Sequence, residues 1–167
     1  MIKKIIFLVV LAGILRVTGL LPFESRDVAQ LVPVQALVIS QSADNVVLDG
    51  GDCRGIGTDW DSAWEDLQNS ADGRVFLQTA DHVILCGDAV SLLRQVVESG
   101  AFRPAASVCV CPDSVPSADE AAAYLQAHHG GVTLQQVQAL QLRQGELTLP
   151  RLRQTEGGLR LDDTKDR

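Results

Sequence analysis

A hydrophobic segment close to the N-terminus constrains this chain more than any other feature of its sequence. Lys3 and Lys4 precede an uninterrupted apolar run over residues 5–15, and weaker apolar character continues beyond it. Two lysines before such a run hold the N-terminus in the cytoplasm and direct the following chain outward. A spanning helix needs about 20 residues, so the span includes Arg16, whose long side chain can reach the outer headgroups. The sequence therefore predicts a single-pass membrane anchor over residues 1–23.

Two other interpretations of this segment stay open. Residues 5–15 have the length of the hydrophobic core of a cleaved signal peptide. No clear small-residue cleavage site follows them, however, and no cysteine follows residues 11–13 to accept a lipid. The segment is also short enough to be the buried first helix of a cytosolic protein. We favour the uncleaved anchor, which places the remainder of the chain on the extracytoplasmic side of the membrane.

The composition of the chain predicts one globular domain after this anchor. Hydrophobic residues make up 46% and charged residues 21% of the 167 positions, as in a folded domain and unlike a disordered chain. We expect a stem over residues 24–31, an α/β domain over residues 32–149 and a C-terminal tail over residues 150–167. The formal net charge of −7 would repel phosphate backbones, which argues against nucleic acid as a partner.

Short apolar runs alternate with helix-start signals along the predicted domain. Strand patterns occur at residues 32–40, 46–49, 74–77, 82–86, 105–111, 147–149 and 158–161. The first two are predicted to form a hairpin, and those at 74–77 and 82–86 are either one interrupted strand or two. Helix starts are predicted at four side chains that can accept a hydrogen bond from a first turn: Thr58, Asp88, Ser117 and Thr133. With a glycine-rich loop over residues 50–57, this order predicts an α/β or α+β fold, with a mixed sheet and about four helices.

The helix after Thr58 carries both tryptophans of the chain. Trp60, Trp64 and Leu67 stand at positions i, i+4 and i+7 and form one apolar stripe. This spacing favours a stripe that faces the core. A ligand-binding platform built on the two tryptophans is the alternative.

Four cysteines are present, at positions 53, 86, 109 and 111. Cys109 and Cys111 are two residues apart in a predicted strand, so their side chains face the same side. None of the four has the spacing of a zinc ligand set. Buried free thiols are the state we expect first, a disulfide second and a metal site third.

Catalytic motifs are not apparent in the sequence. Gly55-Ile56-Gly57 is too short to indicate a phosphate-binding loop, and Asp49 and Asp52 lack the further acidic positions of a calcium loop. His82 lies inside an apolar run and is expected to be a half-buried strand residue. His128 and His129 precede two glycines, where cations favour the C-terminus of a helix. We therefore predict no enzymatic activity, no catalytic or metal-binding residues and no cofactor.

A series of short motifs, in order, resembles the N-terminal domain of the Ger(x)C family, the C subunit of bacterial spore-germinant receptors. The matching segments are Arg26-Asp27-Val28 in the stem, residues 34–40, residues 57–67, residues 74–88, Phe102-Arg103-Pro104 and residues 107–111. The chain departs from the family pattern in three ways. Leu20-Leu21-Pro22 stand where the family has its lipid-bearing cysteine, His82 is not clearly at the position of the family's histidine, and the chain stops soon after Leu149, where family members continue into two further domains.

The resemblance implies a stand-alone module of the spore envelope that acts in sporulation or germination through contact with membrane-embedded receptor or envelope proteins. Two functions of other classes remain as alternatives. One is an extracytoplasmic redox protein that uses Cys109 and Cys111, and the other is a small-molecule-binding domain with Trp60 or Trp64 in its pocket.

Overall fold

The structure is a computed structural model that describes residues 31–128, 131–143 and 148–162. The predicted anchor over residues 1–23 and nearly all of the predicted stem lie outside the described residues. Within the described ranges, no helix is both long and apolar enough to cross a membrane.

The described residues form ten strands and four α-helices. The strands are β1 (Leu31–Pro33), β2 (Ala36–Ser42), β3 (Asn45–Asp49), β4 (Arg54–Gly57), β5 (Arg74–Phe76), β6 (His82–Gly87), β7 (Ser107–Cys111), β8 (Val132–Thr133), β9 (Arg151–Thr155) and β10 (Gly158–Asp162). The helices are α1 (Trp60–Ser70), α2 (Leu93–Glu98), α3 (Ala118–Ala127) and α4 (Leu134–Leu142), and short 3-10 segments span Leu77–Thr79 and Asp88–Leu92.

One large mixed sheet organises these elements, with strand order β10-β9-β7-β6-β2-β3-β4. The strands β2, β6, β7 and β9 are parallel to one another. At one edge β3 and β4, and at the other edge β10, run antiparallel to their neighbours. Strand β8 pairs briefly with β7, and β1 and β5 form a separate parallel pair. The predicted class, a mixed sheet with four helices, is confirmed.

Each face of the large sheet has its own apolar core. The first core packs α1, α2 and α4 against one face, and the second packs α3 against the other face together with Leu152 of β9 and Leu159 of β10. Parallel strands that are covered on both faces have nearly continuous apolar sequences, and β6 and β7 have such sequences here. Among the residues described, no polar or charged side chain is fully buried.

The predicted loop over residues 50–57 is wrong in its second half, where Arg54–Gly57 form the edge strand β4. The two glycines of this strand allow α1 to approach it closely. A Cβ atom at Gly55 would lie 2.2 Å from the Ala63 carbonyl oxygen, and one at Gly57 would lie 2.2 Å from the Ala63 amide nitrogen. The Gly55-Ile56-Gly57 motif is therefore a helix-packing motif.

The predicted strand over residues 32–40 is divided in two. Pro33 ends β1, whose partner is β5, and the chain resumes in β2 at the centre of the large sheet. The Thr79 hydroxyl stabilises the chain between β1 and β2. It accepts a hydrogen bond from the Val34 amide at 3.1 Å and can donate one to the Val34 carbonyl at the same distance. Of the two possibilities predicted for residues 74–77 and 82–86, the structure has two separate strands. Strand β5 pairs with β1, and β6 lies in the large sheet beside β2.

Two of the predicted helix starts need correction. The N-cap of α1 is Asp59 and not Thr58, because the Asp59 carboxylate accepts from the Ser62 amide at 2.8 Å. That hydrogen bond is the main reason why the pKa of Asp59 is lowered. After Gly87 the chain forms a 3-10 turn over Asp88–Leu92 before α2, and no side chain caps it. The starts at Ser117 and Thr133 are confirmed.

The predicted boundary between domain and tail at Leu149 also needs correction. Strand β9 begins two residues later, at Arg151, and joins β7, where the Val110 amide donates to the Pro150 carbonyl at 2.9 Å. Strand β10 then pairs with β9 along its whole length. The sheet therefore extends to Asp162.

Candidate functional site

The three cysteines of the second core lie close together beneath α3. Cys86 is the penultimate residue of β6, and it is in register with Cys111 on the neighbouring strand β7. Cys109 lies two residues earlier on β7, on the same face. All three are buried, as is Cys53 in the first core, and all four are free thiols in this structure. The expected burial of the cysteines is therefore confirmed.

Their surroundings make these thiols poor nucleophiles. Burial raises the pKa of Cys86 to about 12, and the neighbouring Cys111 acts in the same direction. Burial, then Cys111 and Cys86, also raise the pKa of Cys109 to about 12. A redox-active cysteine needs an accessible sulfur with a lowered pKa, so this environment argues against the redox alternative.

Both tryptophans pack against the first core. Trp60 is 6% exposed, and its ring lies 6.5 Å from that of Phe102, centroid to centroid. Trp64 is partly buried against the same core, and Leu67 is fully buried. The predicted core-facing stripe is confirmed.

A cleft of about 400 Å³, lined in part by polar side chains, opens where β6 and β7 begin. We call it the His82 cleft, and the residues that characterise it are Asp81, His82, Arg103, Ser107 and Thr133. The Nδ1 atom of His82 lies 2.7 Å from the Ser107 hydroxyl, across the two strands. Asp81 forms an ion pair with Arg103, and both side chains are 43% exposed.

The His82–Ser107 pair has the separation of a nucleophile and its general base, but its setting is that of a sheet. The Ser107 amide, which a serine nucleophile commonly uses to stabilise an oxyanion, instead donates to the Asp81 carbonyl at 2.8 Å. The Asp81 carboxylate is engaged with Arg103. The cross-strand hydrogen bond is therefore best explained as satisfying a half-buried histidine, as predicted for His82.

His128 also has the predicted role. Its Nδ1–H donates to the Tyr124 carbonyl at 2.9 Å, and its ring stacks on that of Tyr124 at 4.2 Å. It therefore caps the C-terminus of α3. His129 lies outside the described residues.

Asp52 lies beside Ala118 and Asp119 at the start of α3. The Asp49 carboxylate accepts from the Gly51 amide at 2.9 Å, and the Asp119 side chain lies against Gly51. Burial raises the pKa of Cys53, and Asp49 and Asp52 add to this shift. Within the described residues, no group of acidic, histidine and cysteine side chains is arranged to hold a metal ion.

An open groove runs between α2 and α4. We call it the α2–α4 groove; its volume is about 480 Å³ and its lining is Arg94, Val97, Glu98, Gln138, Gln141 and Leu142. Leu142 is 82% exposed, the highest value among the exposed large hydrophobic residues described. Arg94 and Glu98 form an exposed ion pair at 2.7 Å on its rim. Val97 and Leu142 are the apolar residues of this groove.

Sequence reasoning missed two juxtapositions that depend on strand order. One is His82 with Ser107, and the other is Cys86 with Cys111. The available signal was positional: Cys86 and Cys111 are the last residues of the two strands predicted over residues 82–86 and 105–111, and His82 and Ser107 lie at or near their starts. The α2–α4 groove had no such signal.

The chain matches no protein-family model, and comparisons with curated proteins and with solved structures give no match either.

Proposed function

We propose that this chain is a membrane-anchored, non-enzymatic module that works by protein–protein contact outside the cytoplasm. One observation carries the proposal: the side chains best suited to chemistry have packing roles. The four thiols are buried, Trp60 belongs to the first core and His82 is held by Ser107 across the sheet.

The α2–α4 groove is the surface that best suits such contact. Its apolar residues, Val97 and Leu142, lie among amide and charged side chains, the mixture found at non-obligate interfaces. A partner of matching chemistry is a membrane-embedded receptor or envelope protein that presents an apolar segment with polar flanks. The predicted anchor over residues 1–23 would keep the module near that partner and raise its effective concentration.

The narrower proposal is a role in spore germination or sporulation. Its support is the ordered set of segments that resemble the Ger(x)C family, from the stem at Arg26 to the strand that ends at Cys111. The partner would then be another component of the germinant receptor.

Gene deletion with complementation, in the organism that encodes the chain, tests both proposals. Deletion should impair spore formation or nutrient-triggered germination, and the wild-type chain should restore it. Leu142→Glu should restore it poorly, because a carboxylate would interrupt the apolar surface of the groove. Val115→Glu is the matched control, since Val115 is 60% exposed and does not line the groove.

Immunoblots must show equal amounts of both variants in the membrane fraction. Normal sporulation and germination after deletion would contradict the biological role. Full function of Leu142→Glu would contradict the groove as the contact surface.

A further inference from the structure

We propose that Cys86 and Cys111 are a disulfide-forming pair, oxidised when the chain folds outside the cytoplasm. The location rests on the proposed function, whereas the pairing rests on the geometry of the sheet alone.

Strand register brings these two residues to the right separation. Cys86 and Cys111 are direct partners on adjacent parallel strands, and both side chains point into the second core. Adjacent strands lie about 4.8 Å apart. The Cα atoms of a disulfide lie about 4.4–6.8 Å apart, so the backbone already satisfies this requirement.

The same register disfavours the other pairings. Cys109 is displaced from Cys111 by two residues along β7, so it lies diagonally opposite Cys86, at roughly 8 Å between Cα atoms, beyond the disulfide limit of about 7 Å. Cys109 and Cys111 are about 6.6 Å apart along one strand, and their side chains leave it in parallel directions. Cys53 packs in the first core, on the opposite face of the sheet.

Burial indicates when the bond forms. Cys86 is 1% and Cys111 is 0% exposed once α3 covers them, so a bulky oxidant cannot reach either sulfur in the folded domain. Oxidation therefore precedes the docking of α3, while the exported chain folds in an oxidising compartment. The same burial then protects the bond from reductants.

The oxidant is the disulfide of a thiol–disulfide oxidoreductase. One thiolate of the chain attacks the oxidant's S–S bond to form a mixed disulfide and releases one sulfur of the oxidant. The second thiolate then attacks the chain's sulfur in the mixed disulfide and displaces the oxidant's other sulfur. Cys86 and Cys111 lose two protons and two electrons in total and gain one S–S bond. The oxidant is released as two thiols.

The experiment in cells uses the full chain. Cells are quenched with acid, free thiols are blocked with N-ethylmaleimide, and disulfides are then reduced and labelled with a polyethylene-glycol maleimide. The wild type should acquire two labels. The variants Cys53→Ala and Cys109→Ala should also acquire two, whereas Cys86→Ala and Cys111→Ala should acquire none.

A second measurement does not depend on location or on the folding of a variant. The purified full chain is reduced, denatured and refolded in detergent with oxidised and reduced glutathione, and its disulfides are mapped by mass spectrometry. A peptide that links Cys86 to Cys111 supports the pairing, and a different link or no link overturns it. If the link forms here but is absent in cells, the pairing holds and the extracytoplasmic location is contradicted.

Discussion

Gly55 lies under α1 at a contact that leaves no room for a side chain. An alanine Cβ at this position would be 2.2 Å from the Ala63 carbonyl oxygen and 2.5 Å from the Leu67 amide nitrogen, both backbone atoms. Helix and strand would have to separate, because neither atom can move independently of its element.

We therefore expect Gly55→Ala to lower the free energy of unfolding by about 1–3 kcal/mol, as overpacking does. Urea unfolding of the full chain in detergent, followed by tryptophan fluorescence, measures this value. Gly157→Ala is the matched control, since nothing lies within 4 Å of a Cβ there, and its effect should stay within about 0.5 kcal/mol. Equal stability of the two variants would contradict the close contact.

The buried thiols predict a loss of stability at alkaline pH in the reduced protein. The pKa values of Cys86 and Cys109 are raised from 9.0 to about 12. Between these values the unfolded chain releases protons that the folded chain retains, so stability falls as pH rises. Well below pH 9 both states keep the protons, and the thiols contribute no pH dependence.

With a reductant present, the free energy of unfolding should decline between pH 9 and pH 10.5, by up to about 1.4 kcal/mol per pH unit for each thiol. The double variant Cys86→Ala/Cys109→Ala should show a flatter profile over the same interval. Identical slopes in the variant and the wild type would show that these thiols ionise normally in the folded protein.

Helix α4 begins with reciprocal hydrogen bonds between Thr133 and Gln136. The Thr133 hydroxyl accepts from the Gln136 amide at 3.3 Å, and the Gln136 side chain accepts from the Thr133 amide at 2.9 Å. Removing the hydroxyl leaves an N–H group of the first turn without its partner.

Thr133→Ala should therefore cost about 1 kcal/mol of unfolding free energy, measured by the same urea titration. Thr133→Ser keeps the acceptor and should retain most of the stability. A serine variant as unstable as the alanine variant would indicate that the threonine methyl group, and not the cap, is what matters.

Strand β9 contributes a core residue from a segment that the sequence pattern assigned to a tail. Leu152 is 0% exposed and packs in the second core. Leu152→Ala should cost about 2–5 kcal/mol. Leu142→Ala removes the same atoms from a side chain that is 82% exposed, so it should change stability by less than about 0.5 kcal/mol. A small effect at Leu152 would mean that β9 is not part of the cooperative fold.

Elements with local signals were predictable, and elements that need distant partners were not. Ser117 and Thr133 cap their helices with residues three positions away, so a short window of sequence contains the whole signal. Strand β4 depends on β3 and on the approach of α1 to Gly55. In sequence it consists of one arginine, two glycines and one apolar residue, a pattern typical of loops.

At the scale of the whole molecule, strand order decides which side chains meet. Because β6 and β7 are parallel neighbours, Cys86 meets Cys111 and His82 meets Ser107 at opposite ends of the same pair of strands. The sequence predicted both strands but not their adjacency or register. The sites that depend on this register therefore became visible only in the folded chain.

The edge of the large sheet at β4 is closed by α1. The Asp66 carboxylate accepts from the Ile56 amide at 2.8 Å, and the Ser70 hydroxyl donates to the Arg54 carbonyl at 2.7 Å. Backbone groups that are bonded in this way cannot pair with the strand of another molecule. A module that works by contact would thus not pair through this edge of the sheet.

The predicted anchor gives the last expectation, which concerns where this domain is held. Lys3 and Lys4 should retain the N-terminus in the cytoplasm while the apolar segment enters the bilayer. A C-terminal alkaline phosphatase fusion, active only outside the cytoplasm, should therefore be active and membrane-bound, and a fusion to a fluorescent protein that matures only inside should be dark. Replacing both lysines with glutamate should reduce the phosphatase signal, because it removes the charge that orients the segment. A bright fluorescent fusion in the soluble extract would contradict the anchor and the extracytoplasmic location that depends on it.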